Sequence, residues 1–261
     1  MILLGGVECH CFPEIRYGFC TNRALKKTME IIQKYSQKIA VVHKSLYEGD
    51  YTYAPTKGKQ GLKQIYNTDR SKVIELKNGY DSSVYYNRKY SRDNWSFLTV
   101  PGRIDHKTYW VKGIDILIEL CSRMPSLQLT VVGEMCLNGQ ISMPGNIRIL
   151  PKIKSCELAE VYNQHRFYFQ LSMAEGFPNA LCEAMLCGCV PIGSDVFGIP
   201  EIIGDAGFLL RRKNIEELIQ IIKNLKNFDI DTLSEIAEQR ILMHFQLKER
   251  NQSLLNLINH N

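Results

Sequence analysis

Two glutamates with seven residues between them, Glu175 and Glu183, stand in the run Ser172-Met-Ala-Glu-Gly-Phe-Pro-Asn-Ala-Leu-Cys-Glu-Ala-Met-Leu-Cys-Gly. A carboxylate accepts hydrogen bonds from two vicinal hydroxyls, so one acid can grip a ribose and the other a sugar ring. Between them Gly176 lets the backbone turn closely, Pro178 ends the extended stretch, and Asn179 is a good N-cap for a helix starting near Ala180. The free backbone N–H groups of Ala180 and Leu181, reinforced by the helix dipole, make an anion site suited to a diphosphate. Glu183 is expected in the first helical turn, where an acid is also common for dipole reasons alone.

A second group is basic. Arg103 follows an apolar run, and Lys112-Gly113 opens the next helical pattern. A guanidinium fork and an ammonium point charge suit phosphate oxygens and can neutralise a leaving diphosphate. Ser194-Asp-Val-Phe-Gly-Ile-Pro-Glu201 supplies a third loop expected on the same edge.

These residues must be placed by elements that the periodicity announces. Short apolar runs at Phe97 to Pro101, Leu127 to Val132, Ile147 to Leu150, Phe167 to Leu171 and Val190 to Gly193 alternate with helical patterns. Gly113 to Met124, Ala180 to Cys187 and Ile215 to Asn224 carry apolar residues at helical spacing. Such alternation predicts a doubly wound parallel α/β sheet, in which ligands sit outside the carboxyl ends of the strands. Before it, strands at Ile2 to Leu4 and Ile39 to Val42 flank a helix at Arg23 to Tyr35, followed by a polar stretch to Arg70. Two strands are too few for a self-sufficient sheet, so residues 1–92 read as an incomplete N-terminal α/β portion with a crossover, and 93–261 as the nucleotide-binding domain with closing helices.

The 261 residues, 45% hydrophobic and 23% charged, exclude disordered and fibrous classes. The net charge of +5 suits phosphorylated ligands or an anionic membrane surface without requiring either. No run reaches the roughly 18 apolar residues of a membrane span, and the N-terminus lacks a signal-peptide pattern, so a cytoplasmic chain is expected, with peripheral association at the inner face of the membrane left open. Nine cysteines without a Cys-x-x-Cys pair predict reduced thiols. Cys9-His10-Cys11 lacks a second ligand cluster, so no metal is expected. His10 and His43 read as structural residues.

Taken in order, Asn78-Gly79-Tyr-Asp81, Gly102-Arg103, Lys112-Gly113-Ile-Asp, Val-Val-Gly133-Glu134, the two-glutamate run and Gly198-Ile-Pro-Glu201 closely resemble the family-4 retaining glycosyltransferases of GT-B fold. The resemblance covers roughly residues 70–245 and implies a Rossmann-like donor domain. It implies further that Arg103 and Lys112 contact the diphosphate, Glu183 holds the ribose and Glu175 faces the donor sugar. Asn179, Ala180 and Leu181 would cap the phosphates, with Gly102, Gly133 and Phe177 lining the donor site. The implied activity is a hexosyltransferase moving a sugar from a UDP-, GDP- or ADP-linked donor to a glycan or lipid-linked acceptor, in polysaccharide biosynthesis, with retention, no metal and no nucleic acid. Eight residues separate Arg103 from Lys112 where the family has about five, so the intervening loop is expected to be reshaped, with Lys107 a substitute. Phe197 stands where glycine is common. The family's early Gly-rich loop and first-domain histidine are not found in residues 1–90. The alternative is therefore a non-catalytic nucleotide-sugar-binding half that needs a partner, either another chain or a second copy in a homo-oligomer, or the missing N-terminal domain for activity. A sugar-nucleotide epimerase is disfavoured by the two glutamates.

Overall fold

A computed structural model describes residues 1–137 and 141–259. The chain runs β1 (Ile2–Leu4), α1 (Arg23–Tyr35), β2 (Ile39–Val41), α2 (Ser45–Glu48), α3 (Gly61–Tyr66) and β3 (Val73–Glu75). It continues through β4 (Ser96–Ile104), α4 (Thr108–Val111), α5 (Ile114–Arg123), β5 (Gln128–Met135), β6 (Ile147–Leu150), α6 (Ser155–Asn163) and β7 (Phe167–Gln170). It ends with α7 (Asn179–Leu186), β8 (Val190–Ser194), α8 (Ile199–Ile203), β9 (Phe208–Leu210), α9 (Ile215–Asn224), α10 (Ile230–His244) and α11 (Leu247–Asn259).

Two parallel sheets result, one in the order β1-β2-β3 and a larger one in the order β6-β5-β4-β7-β8-β9. The interior strands of the larger sheet, β7 and β8 above all, are rich in Phe, Val and Ile because they are covered on both faces, whereas the edge strand β6 exposes Arg148 and Ile149. At its centre Phe97 stacks on Phe167 and Phe169 with ring centroids 4.8 and 5.2 Å apart, all three buried. Helix starts follow their caps: Asn22 accepts from the N–H groups of Ala24 and Leu25, Asn214 from Glu217 and Asp229 from Thr232.

The strand order fixes where a ligand can sit. The chain winds outward from β4 through β5 to β6, then returns to β7 on the other side of β4 and winds outward again. The crevice beyond the carboxyl ends of β4 and β7 is thus the switch point of the sheet.

The first sheet has three strands where two were expected. Val73–Glu75 pairs with β2 in register Ile39↔Val73 to Val41↔Glu75, and three residues are too few to show a period in a sequence. The polar stretch before it holds α2 and α3. This sheet leans on the larger one: Lys213 N–H donates to the Tyr53 carbonyl at 2.8 Å, and His43 meets Glu201. Tyr80, at the crossover, donates its N–H to the Phe245 carbonyl and accepts from Leu247, so the end of the chain is tied back to the crossover.

One expectation fails outright. Cys11 and Cys20 are joined in a disulfide, their Cα atoms 5.5 Å apart. The antiparallel bridge of Phe12 with Tyr17 folds the intervening residues into a narrow loop that brings the two together. A nine-residue separation carries no signature that spacing rules could detect. The other seven cysteines are free, and Cys182, Cys187 and Cys189 are buried in the core.

Candidate active site

The segment after β7 is positioned from beneath by its own hydroxyls. Gln170 donates to Ser172 Oγ at 2.8 Å, and Ser194 Oγ donates to the Ser172 carbonyl at 2.6 Å, locking the ends of β7 and β8 together. Ser172 Oγ in turn donates to Glu175 Oε1 at 3.3 Å. Lys112 Nζ forms an ion pair with the same oxygen, and both side chains are mostly buried. The residues that spacing singled out at positions 112 and 175 are thus brought together at the switch point.

Gly176 is required by the approach of the first sheet. A Cβ there would lie 2.3 Å from the Gly5 carbonyl oxygen and 2.8 Å from Val42 Cγ2. The close packing of two backbones excludes any side chain.

Helix α7 begins one residue earlier than expected. Pro178 holds the N-cap position, Asn179 is the first helical residue, and no side chain caps the helix. Instead Asn179 Oδ1 accepts from Asn78 Nδ2 at 3.0 Å and from the Tyr80 hydroxyl at 2.9 Å. The crossover therefore draws the Asn179 side chain away, and the N–H groups of Asn179, Ala180 and Leu181 are left without intrahelical partners. An eight-residue helix with an uncapped start at the end of a strand presents partial positive charge to the crevice.

Glu183 consequently lies in the second turn of α7, not the first. Burial raises its pKa above the ordinary carboxyl range, opposed by Tyr162 and Tyr85. The Tyr162 hydroxyl donates to Glu183 Oε2 at 3.1 Å, a contact from α6 that no sequence pattern indicated. Phe177 is buried and packs edge-on to Phe245 at 5.1 Å, its carbonyl accepting from Asn78.

Arg103 stays apart from the Lys112 and Glu175 pair. It occupies β4 opposite Glu134, is 65% exposed, and makes a loose 3.6 Å ion pair with Asp105. The longer spacing to Lys112 is absorbed by the single helical turn α4, whose start is held by Asp105 Oδ1 accepting from the Lys107 and Thr108 N–H groups. Lys107 is exposed. Gly102 and Gly133 pack against each other, since a Cβ on Gly133 would lie 2.2 Å from the Gly102 carbonyl oxygen. On its own Cβ side Gly102 is open, nothing lying within 4 Å.

The histidines of the first sheet lie against this region. His43 Nδ1 accepts from the Ser45 N–H at 3.3 Å, so Nε2 carries the proton that it donates to Glu201 Oε2 at 3.0 Å. Lys77 Nζ pairs with the other oxygen of Glu201. Burial pushes the Glu201 carboxyl up, but Lys77 and His43 outweigh it and hold the pKa at about 2. This network joins positions 158 and 124 residues apart, which no local pattern announces. His10 is 1% exposed with neither ring nitrogen hydrogen-bonded, since Gln60 is committed to the Cys11 main chain. Burial, with the Lys112 charge, lowers its pKa to about 3 despite the nearby Gln60. Phe197 adopts a left-handed backbone (φ 48) and packs on His10 with centroids 4.5 Å apart, so a position suited to glycine is held by ring packing.

A groove of about 760 Å³ lies elsewhere, between Tyr80 and the α10 and α11 helices, lined by Leu186, Ile241, Gln246 and Leu255 among others. None of Arg103, Lys112, Glu175 or Glu183 lines it. Among the described residues no three His, Cys, Asp or Glu side chains are placed to hold a metal ion, and no helix is long and apolar enough to cross a membrane.

Known proteins resemble this arrangement in sequence and in fold. The gpi3 subunit of the Schizosaccharomyces pombe phosphatidylinositol N-acetylglucosaminyltransferase is 24% identical over 124 residues, 43% of this chain and 27% of that protein. The Escherichia coli O-antigen chain mannosyltransferase B is 32% identical over 96 residues, 37% of this chain and 25% of its own length. The chain thus spans less than a third of each of these two relatives. A structure of S. aureus TarM in complex with UDP and other ligands superposes with a TM-score of 0.75 at 15% identity, covering 98% of this chain and 50% of that one. The Anabaena HepE structure with UDP-glucose gives 0.71 at 15% identity, covering 92% and 68%. These likenesses establish the GT-B fold. The family model of the glycosyl transferases group 1 matches residues 97–227, half of the chain and the whole of the switch-point crevice, and the chain belongs to that family.

Proposed function

We propose that the chain binds a nucleoside-diphosphate sugar at the β4/β7 switch point and transfers the sugar with retention, as a family-4 enzyme whose first domain is represented here by residues 1–92. The observation that carries this reading is the convergence of the Lys112 and Glu175 pair with the uncapped start of α7. In this reading the α7 N–H groups and Lys112 stabilise charge developing on the leaving diphosphate as the glycosidic bond breaks. Arg103, exposed and weakly paired, swings onto the same phosphates. Glu175, already oriented by Ser172 and Lys112, accepts from donor-sugar hydroxyls, and Glu183 accepts from the ribose. The positive groups and the helix end supply the counter-charge, so the reading calls for no metal. The HepE structure holds UDP-glucose, and the name of the yeast relative includes a phosphatidylinositol, which support a UDP-linked donor and a lipid-linked acceptor.

The alternative, a donor-binding half that depends on another polypeptide for transfer, is favoured by the small three-stranded first sheet. Calorimetric titration with UDP, GDP, ADP and their sugar conjugates tests the reading. Binding of one nucleotide class is expected, weakened in Glu183→Ala by about 1–3 kcal/mol through loss of charge-assisted hydrogen bonds. Unchanged affinity in that variant discards the assignment of Glu183. Release of free nucleotide in the presence of acceptor separates the transferase from the donor-binding half.

A further inference from the structure

Helix α1 presents three distinct sides. Met29 and Gln33 are buried, and Gln33 accepts from the Thr68 hydroxyl, so this side is fixed against the chain leading into β3. A second side carries Ala24, Thr28, Ile31 and Tyr35, at i, i+4, i+7 and i+11, and all four are exposed. Ile31 is 50% and Tyr35 75% exposed, and Leu25 beside them 40%. Thr28 turns its hydroxyl back onto the Ala24 carbonyl at 3.0 Å, so its outward surface is the methyl group. The band is therefore uncharged and apolar from end to end.

The third side runs alongside the band, with Arg23, Lys27, Glu30 and Lys34 at the same spacing. Among the described residues none of the three cations makes an ion pair, although acids are plentiful elsewhere on the surface. An apolar band bordered by cations outside any ion pair, with Lys34 Nζ over the Tyr35 ring at 5.6 Å, matches one kind of partner, a surface that is hydrocarbon within and anionic at its face. A protein partner would need to supply an apolar patch and separate acids in the same arrangement, whereas an anionic bilayer supplies both everywhere.

We infer that α1 is a membrane-contact helix, which lies in the headgroup region of an anionic bilayer with Ala24, Thr28, Ile31 and Tyr35 inserted and Arg23, Lys27 and Lys34 on the phosphates. The inference rests on the proposed function only in that it gives a lipid-linked acceptor a place to be met. Vesicle binding is measured without donor or acceptor, so either can fail alone.

The test is flotation of the full chain with vesicles of phosphatidylcholine alone, or of phosphatidylcholine and phosphatidylglycerol in equal parts, at low and high salt. Binding to the anionic vesicles, weakened by salt, is expected. Ile31→Glu and the pair Lys27→Glu with Lys34→Glu should each lose about tenfold or more in affinity, while Met243→Glu, an exposed apolar residue on α10, binds as the parent does. These positions are exposed, and unchanged circular dichroism confirms that the variants are folded. No flotation with anionic vesicles overturns the inference, as does flotation that the α1 variants leave intact. Self-association of the parent that Ile31→Glu abolishes, without vesicle binding, assigns the band to a second copy instead.

Discussion

Replacing Glu201 by Gln removes the charge that ties the first sheet to helix α8. Both oxygens of Glu201 are used, one by Lys77 and the other by the Nε2 proton of His43, whose side chain is 4% exposed. The carboxyl falls from an ordinary 4.5 to about 2, which at about 1.4 kcal/mol per pH unit corresponds to at most about 3.5 kcal/mol. Because the Glu201 side chain is 30% exposed and Lys77 40%, solvent screening reduces this to about 1–2 kcal/mol. The folded carboxyl titrates below the unfolded one, so the contribution is complete above the ordinary carboxyl range and disappears as pH falls from there through about 2. At roughly 2–4 °C per kcal/mol for a chain of this size, Glu201→Gln should melt about 2–8 °C below the parent at pH 7. By pH 3 the gap should have narrowed markedly, since the parent's own Glu201 is then close to losing its advantage. Calorimetric melts of both proteins across this range provide the assay. A gap that is absent at pH 7, or the same at pH 3, shows that the ion pairs do not hold the two sheets together.

Arg103→Ala should weaken binding of nucleoside diphosphates by about tenfold and leave bare nucleosides and the melting temperature unchanged, because the side chain is 65% exposed. Equal losses on both ligand types would show that Arg103 does not contact phosphate. Gly176→Ala should destabilise the protein by about 1–3 kcal/mol in denaturant titration, because its Cβ would meet backbone that cannot yield. Gly145→Ala, with nothing within 4 Å of the added carbon, is the control, and equal midpoints for the two variants would contradict the close approach of Gly5.

The larger sheet was legible because its central strands are buried on both faces. Burial of that kind leaves unbroken apolar runs such as Phe167 to Leu171 and Val190 to Gly193, and these runs lie on observed strands. The strands that escaped notice, Val73–Glu75 and Phe208–Leu210, have three residues each and sit at sheet edges. The turn between β7 and α7 was likewise visible, since glycine, proline and asparagine act over a few residues. Its last residue was nonetheless misplaced. Asn179 has the side chain of a cap, but Asn78 and Tyr80, about a hundred residues earlier in the chain, hold its oxygen elsewhere.

The sequence by itself determined the kinds of groups available, the winding of the sheet and the edge on which Arg103, Lys112 and Glu175 emerge, because each follows from short-range periodicity and turn chemistry. Only the tertiary structure decided which of them meet. Lys112 joins Glu175 while Arg103 remains with Asp105, Tyr162 reaches Glu183, and His43 closes on Glu201. The same holds for the Cys11 to Cys20 link, made by a loop whose closure depends on Phe12 and Tyr17 packing together. The physical reason is that hydrogen bonds and ion pairs act over a few ångströms. Residues 63 or 158 positions apart come within that range only after the strands have been ordered and the two sheets brought into contact.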